Sequence, residues 1–218
     1  MTTSQPTRIT FVRHGQVFNP EQVVYGRLPG FRLSDLGERQ AAAAAAALRD
    51  VPLTVVYSSP LLRAQQTAKI LLAEHPDVPL LTSELITEVN FLFEGQPMAS
   101  MALRNWDLYT GVGPAYDQPT DVVARAREFF AQVRSEYAGQ HVAAVTHGDV
   151  IAFTTLWAFG ADLVPANKHT LDAHGLAEDY PAPASLMTFT FGPDDERPAV
   201  RYLRPYGEEL SDGGISPK

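Results

Sequence analysis

Short apolar runs alternate with helix-length segments along this chain, and that alternation is what most narrows its fold. Strand-like runs fall at 8–13, 53–58, 79–82, 142–147, 186–191 and 199–203. Between them, 34–49, 60–74, 120–137 and 149–159 read as helices. Such alternation predicts an α/β fold, a three-layer α/β/α arrangement around a mostly parallel central sheet. The last two runs are joined only by GPDDERP, which predicts an antiparallel pairing at one edge.

Local signals support the helices. Ser34 is a good N-cap, and the seven alanines 41–47 that follow have the highest helix propensity. Ser59 is the expected N-cap of the second helix, with Pro60 at its first position. Val122, Val123, Ala126, Phe129, Phe130 and Val133 fall on one stripe of the third. Residues 91–118 fit the alternation poorly and are rich in Phe, Met, Trp, Tyr, Gly and Pro. They predict a small inserted region of helix and loop. Its aromatics Phe91, Phe93, Trp106, Tyr109 and Tyr116 would form either its own small core or a lid over the organic part of a substrate. One domain is expected over 1–204, with 205–218 a surface extension or disordered tail.

Composition removes several functional classes. There is no cysteine, so thiol catalysis, disulfides and zinc–thiolate sites are excluded, and a cytoplasmic setting fits. The net charge is −8 and the 17 Lys and Arg are scattered, which argues against a nucleic-acid partner. No apolar run is long enough to span a bilayer, and MTTSQPTR carries no signal-peptide pattern, so neither membrane nor export is expected. An anionic substrate would need a local cationic pocket to overcome the global charge. Oligomeric state is not legible.

Three strand ends concentrate the chemistry. The first is FVRHGQ, ending in Arg13, His14, Gly15 and Gln16. The second is YSSPLLR, which brings Arg63 one turn into the next helix. The fourth is VTHGD, with His147 and Gly148. In an open parallel sheet, ligands bind beyond the carboxyl ends of the strands. Two arginines and two histidines meeting there suit a phosphoryl group: arginine grips phosphate oxygens with a planar fork, and neutral imidazole is a competent nucleophile. Glycine after each histidine permits a close backbone turn. A leaving alkoxide also needs a proton, and SELITEVNFLFEG offers Glu84, Glu88 and Glu94 without deciding among them. His75, His141, His169 and His174 have no metal-binding spacing and are expected at the surface or in loops.

Residues 9–16, 58–68 and 143–151, with GRLPGFRLSDLGERQA at 26–41, resemble the histidine phosphatase superfamily, also called phosphoglycerate mutase-like. The resemblance runs in order over roughly residues 8–203. It implies a covalent phosphohistidine mechanism: His14 attacks phosphorus, and Arg13, Arg63 and His147 hold the phosphoryl oxygens. It favours Glu88 as the proton donor and a structural role for Glu94. It implies no metal or organic cofactor and a small phosphate ester as partner, contacted also by Gly15, Gln16, Asn19 and Gly148. Arg27, in the GRLPG loop after the first strand, would either reach the substrate or form a loop salt bridge. Three positions depart from the family pattern: Val17 replaces a usual Thr or Ser, Asn19 comes one residue early, and Leu92 replaces a usual Gly.

A metal-independent phosphomonoesterase is the leading expectation. The enzymatic rival is a 2,3-bisphosphoglycerate-dependent mutase. It is disfavoured because NFLFEGQPMASM carries no Lys or Arg before Arg104 to hold a second phosphate. The rival from another class is a catalytically idle phospho-ligand-binding or regulatory module.

Overall fold

A computed structural model of the chain describes residues 5–211. Six strands form one sheet: β1 (Thr7–Arg13), β2 (Leu53–Ser58), β3 (Leu80–Thr82), β4 (His141–Thr146), β5 (Leu186–Phe191) and β6 (Ala199–Leu203). Their order is β3-β2-β4-β1-β5-β6. β1, β2, β3 and β4 are mutually parallel, and the antiparallel edge is the β5–β6 hairpin, with β5 running against β1. The α/β class and the mostly parallel sheet are as the sequence predicts.

The helices are α1 (Asp35–Leu48), α2 (Leu62–Leu72), α3 (Met98–Ala102), α4 (Pro119–Glu136) and α5 (Gly148–Phe159). Side chains alternate across a strand, so β1 feeds both faces of the sheet. Val12 joins an alanine-rich layer with Ala44, Ala45, Ala64 and Ala68 of α1 and α2. Small residues there let the two helices lie close to the sheet. Phe11 joins the other layer, under α4 and α5, where it meets Phe129, Phe130 and Phe189 at ring distances of 5.2 to 5.9 Å. Each such aromatic pair contributes roughly 0.5–1.5 kcal/mol beyond the area it buries. The predicted stripe of α4 is buried along its whole length.

Some local expectations need correction. Ser34 does cap α1, accepting from Gly37 N. Ser59 does not cap α2, which starts at Leu62 with no side-chain cap. Its hydroxyl is engaged instead by His147 Nε2 at 2.7 Å. Of the four spare histidines only His174 is exposed; His75 is buried, His141 begins β4 and His169 is half-buried beside Tyr180. Residues 205–211 are held against the body: Gln40 Nε2 donates to Leu210 O at 2.8 Å, and Tyr206 Oη donates to Pro183 O. The rest of the expected tail, 212–218, lies outside the described residues, as do residues 1–4. No helix among the described residues is long and apolar enough to cross a membrane.

Candidate active site

The three polar strand ends are neighbours because β2, β4 and β1 are adjacent. Arg13 pairs in register with Thr146, so the two histidines leave the sheet side by side, with ring centroids 5.2 Å apart. His14 N donates to Thr146 O, and Ser59 N donates to Val145 O, which continues the sheet one residue past each strand. Gly15 then makes a turn that only glycine fits: a Cβ there would strike the backbone of Gly37 in α1. A Cβ on Gly37 would equally strike the backbone of Gln16.

Arg63, at the second position of α2, sits among the histidines and is 1% exposed. Its Nε–H donates to His14 Nε2 at 3.1 Å, and its Nη2 donates to His147 Nδ1 at 3.2 Å and Gly26 O at 2.8 Å. These bonds fix both tautomers. His14 Nδ1 lies 2.8 Å from Gly15 O, which only accepts, so Nδ1 carries the proton and Nε2 keeps its lone pair. His147 accepts at Nδ1 and donates from Nε2 to Ser59 Oγ. Burial first, then the charges of Arg63 and other neighbours, hold both imidazoles well below their ordinary pKa. Both are therefore neutral at pH 7.

The three candidate acids separate cleanly. Glu84 is exposed in a 3₁₀ turn. Glu94 accepts from the backbone N of Arg27, outside the cluster. Glu88 lies 3.4 Å from both His147 Nδ1 and Arg63 Nη2. Burial raises its pKa against the pull of Arg63, and the nearby Asp149 charge raises it further.

A cavity of about 400 Å³ opens beside this cluster. Arg13, His14, Gly15, Gln16, Asn19, Glu88 and Gly148 all line it. Asn19 is tied to the backbone of Val23 at 2.8 and 3.2 Å, and Gln16 accepts from Ser34 Oγ at 2.7 Å. Arg27 stands apart from that wall: its Nε donates to Glu88 O at 2.8 Å and its Nη2 faces Asp117 at 3.4 Å. From the insertion, Phe91 and Trp106 line the cavity, whereas Tyr109 packs edge-on to Phe153 in the core.

One group escaped the sequence reading. Asp149 follows His147-Gly148 directly and is buried. Its carboxylate accepts from Tyr109 Oη and Tyr180 Oη, each at 2.6 Å, and from Lys168 Nζ at 2.9 Å. Burial alone would raise its pKa, but Lys168 and the two phenols hold it below the ordinary carboxylate value. Three segments far apart in sequence are thus tied to the first turn of α5. Tyr180 also lies beneath Arg13, 5.3 Å from guanidinium to ring, and its hydroxyl occupies the space a Cβ on Gly148 would need. The only local hint was the Asp after His-Gly; its partners are scattered in loops without a motif.

Donor atoms of His14, Glu88 and His147 lie within 4.8 Å of one another, a set that a cation could use in principle. Arg63 stands among them and donates to both rings, so the local charge suits an anion instead.

Comparisons with known proteins bear on the family and the fold. The profile of the histidine phosphatase superfamily (branch 1) matches residues 9–178. An uncharacterized Mycobacterium tuberculosis protein, Rv0525, is 39% identical over 150 residues, covering 66% of this chain and 74% of its own. Fructose-2,6-bisphosphatase TIGAR B of Danio rerio is 30% identical, covering 77% of this chain and 70% of its own. Among solved structures, a mycobacterial glucosyl-3-phosphoglycerate phosphatase superposes with a TM-score of 0.71 at 25% identity, covering 91% of this chain and 97% of that one. With two histidines and an arginine meeting at adjacent strand ends and a family profile spanning most of its length, this chain belongs to branch 1 of the histidine phosphatase superfamily.

Proposed function

We propose that this protein is a metal-independent phosphomonoesterase that works through a phosphohistidine on a small phosphorylated metabolite. The observation that carries this reading is the double engagement of Arg63 with His14 Nε2 and His147 Nδ1. It sets the His14 Nε2 lone pair against the same guanidinium that would hold phosphoryl oxygens, which supports a nucleophile and a phosphate clamp in one place. His14 Nε2 attacks phosphorus and the bond from phosphorus to the ester oxygen breaks. Arg13, Arg63 and His147 stabilise the charge on the phosphoryl oxygens. Glu88, whose pKa is raised by burial, delivers its proton to the departing oxygen. The resulting carboxylate then takes a proton from water, whose oxygen attacks phosphorus, and the P–N bond breaks to release inorganic phosphate.

The test is hydrolysis of p-nitrophenyl phosphate by purified protein in EDTA, with rapid alkaline quench to trap phosphohistidine. Turnover that persists in EDTA and vanishes in His14→Ala supports the reading. Turnover that needs a divalent metal, or survives His14→Ala, overturns it.

A further inference from the structure

Resting on that phosphatase reading, we propose that the preferred substrate is the monophosphate of an uncharged, largely apolar alcohol, its phosphoryl group being its only anion. Beyond the phosphoryl end, the cavity is walled by Val17, Phe18, Val24, Phe91, Trp106 and Leu108. They come from two segments, the loop after β1 and the 91–118 insertion. An apolar body filling this space exchanges water for apolar contact along most of its length.

The cations explain why a second anion is excluded. Among the described residues that line the cavity, only Arg13 and Lys168 are cationic. Arg13 belongs to the phosphoryl end. Lys168 is 2% exposed and its charge is already matched by Asp149 at 2.9 Å, with a second bond to Trp106 O at 2.8 Å. Cations just outside are engaged elsewhere. Arg27 bonds Glu88 O and Asp117. Arg104 lies over Phe93 with Nη2 on Thr110 O. Arg32 lies over Phe18 with Nη1 on Leu33 O. A carboxylate or second phosphate would be desolvated there without a counterion. The net charge of −8 opposes multiply charged ligands from a distance as well.

One polar feature of the wall is left over. Both ring nitrogens of His169 are buried without a hydrogen-bond partner among the described residues, and the residue lines the cavity. Being buried, those nitrogens offer no partner to a charged group on the substrate.

The experiment has two arms on the wild-type protein. The first measures equilibrium binding of n-alkylphosphonates, from ethyl to hexyl, which bind whether or not esters turn over. The second measures kcat/KM for the matching n-alkyl phosphates and for 3-phosphoglycerate. Each added methylene should tighten binding and raise kcat/KM about fourfold until the cavity is filled. 3-Phosphoglycerate should fall roughly tenfold or more below butyl phosphate, for want of a cation to meet its carboxylate. A flat phosphonate series, or 3-phosphoglycerate as the better substrate, overturns the inference. Phosphonates that tighten with chain length while no ester is hydrolysed would leave the ligand class standing and sink the phosphatase reading instead.

Discussion

Arg63 and His14 meet through a single hydrogen bond, Nε to Nε2 at 3.1 Å, although 49 positions separate them in the chain. The bond fills the imidazole lone pair with a donor; in the proposed mechanism that donor shifts to a phosphoryl oxygen as the nitrogen attacks. The same guanidinium holds the other histidine, so one planar fork sets the spacing of both rings.

Arg63→Lys keeps the charge and loses the fork. A lysine ammonium is a compact point charge on a flexible stem and cannot hold two rings in fixed register. We expect kcat on p-nitrophenyl phosphate to fall by about 10²–10³-fold, the range found when one transition-state donor is removed. Steady-state kinetics check this; a loss below about threefold would refute the role given to the fork.

Glu88→Gln separates leaving groups. An alkyl phosphate needs its oxygen protonated, so kcat should drop roughly 10²–10⁴-fold. Nitrophenolate leaves without a proton, so p-nitrophenyl phosphate should suffer much less in phosphorylation of the enzyme. With Glu88 as the acid and its pKa raised by burial, wild-type turnover of the alkyl ester should fall as pH rises through the shifted pKa. Equal losses on both esters would count against Glu88 as the acid.

Asp149→Asn exposes the cost of a stranded ammonium. Lys168 would remain buried with only the Trp106 carbonyl and an amide as partners. Removing one member of a buried pair costs about 3–5 kcal/mol. Adding Lys168→Met to Asp149→Asn should recover a large part of that loss, since no charge is then left unpaired. Urea denaturation of the two singles and the double gives the coupling. Additive losses would mean the pair is not the tie that the geometry describes.

His141 gives a pH signature. Its Nε2 shares a hydrogen bond with Thr10 Oγ1 at 2.8 Å, and burial first, then the charge of Arg8, lower its pKa to about 4. An unfolded histidine titrates near 6.5. Between these values the unfolded chain binds the proton and the native chain refuses it, so the contribution of neutral His141 is whole above pH ~6.5 and drains away as pH falls toward 4. The stability of wild type relative to His141→Gln should therefore decline on acidification through that window. Partial exposure keeps the slope below the ~1.4 kcal/mol per pH unit of a full proton. Thermal melts at several pH values decide it; a difference that is flat or grows on acidification is the contrary result.

The sheet and the meeting of its two His-Gly strand ends were legible because both are written locally. Strand runs, caps and the Arg-His-Gly and Thr-His-Gly ends are each contained within a few residues, and the fold class places such ends along one rim. Register supplied what composition could not: Arg13 opposite Thr146 is what turns two separate histidines into neighbours. Chemistry alone could not choose among Glu84, Glu88 and Glu94, because they differ in their surroundings, not in type. Asp149, Tyr109, Lys168 and Tyr180 form one buried cluster from three loops and a helix start, and no periodicity marks such a set. The start of α2 was misplaced for a related reason. Ser59 has the chemistry of a cap, but its hydroxyl is taken by a histidine 88 positions later.

The meeting of Gly15 with Gly37 has a mechanical consequence. Main chain rests on main chain, so no rotatable side chain lies between α1 and the turn beside His14 to absorb a displacement. Gln40 extends the coupling: its Oε1 accepts from Gln16 N at 2.9 Å while its Nε2 holds Leu210 O. The alanine helix, the plainest stretch of the chain, thereby acts as a stiff strut whose tilt sets the position of the His14 turn, with Leu210 tied to the same strut through Gln40.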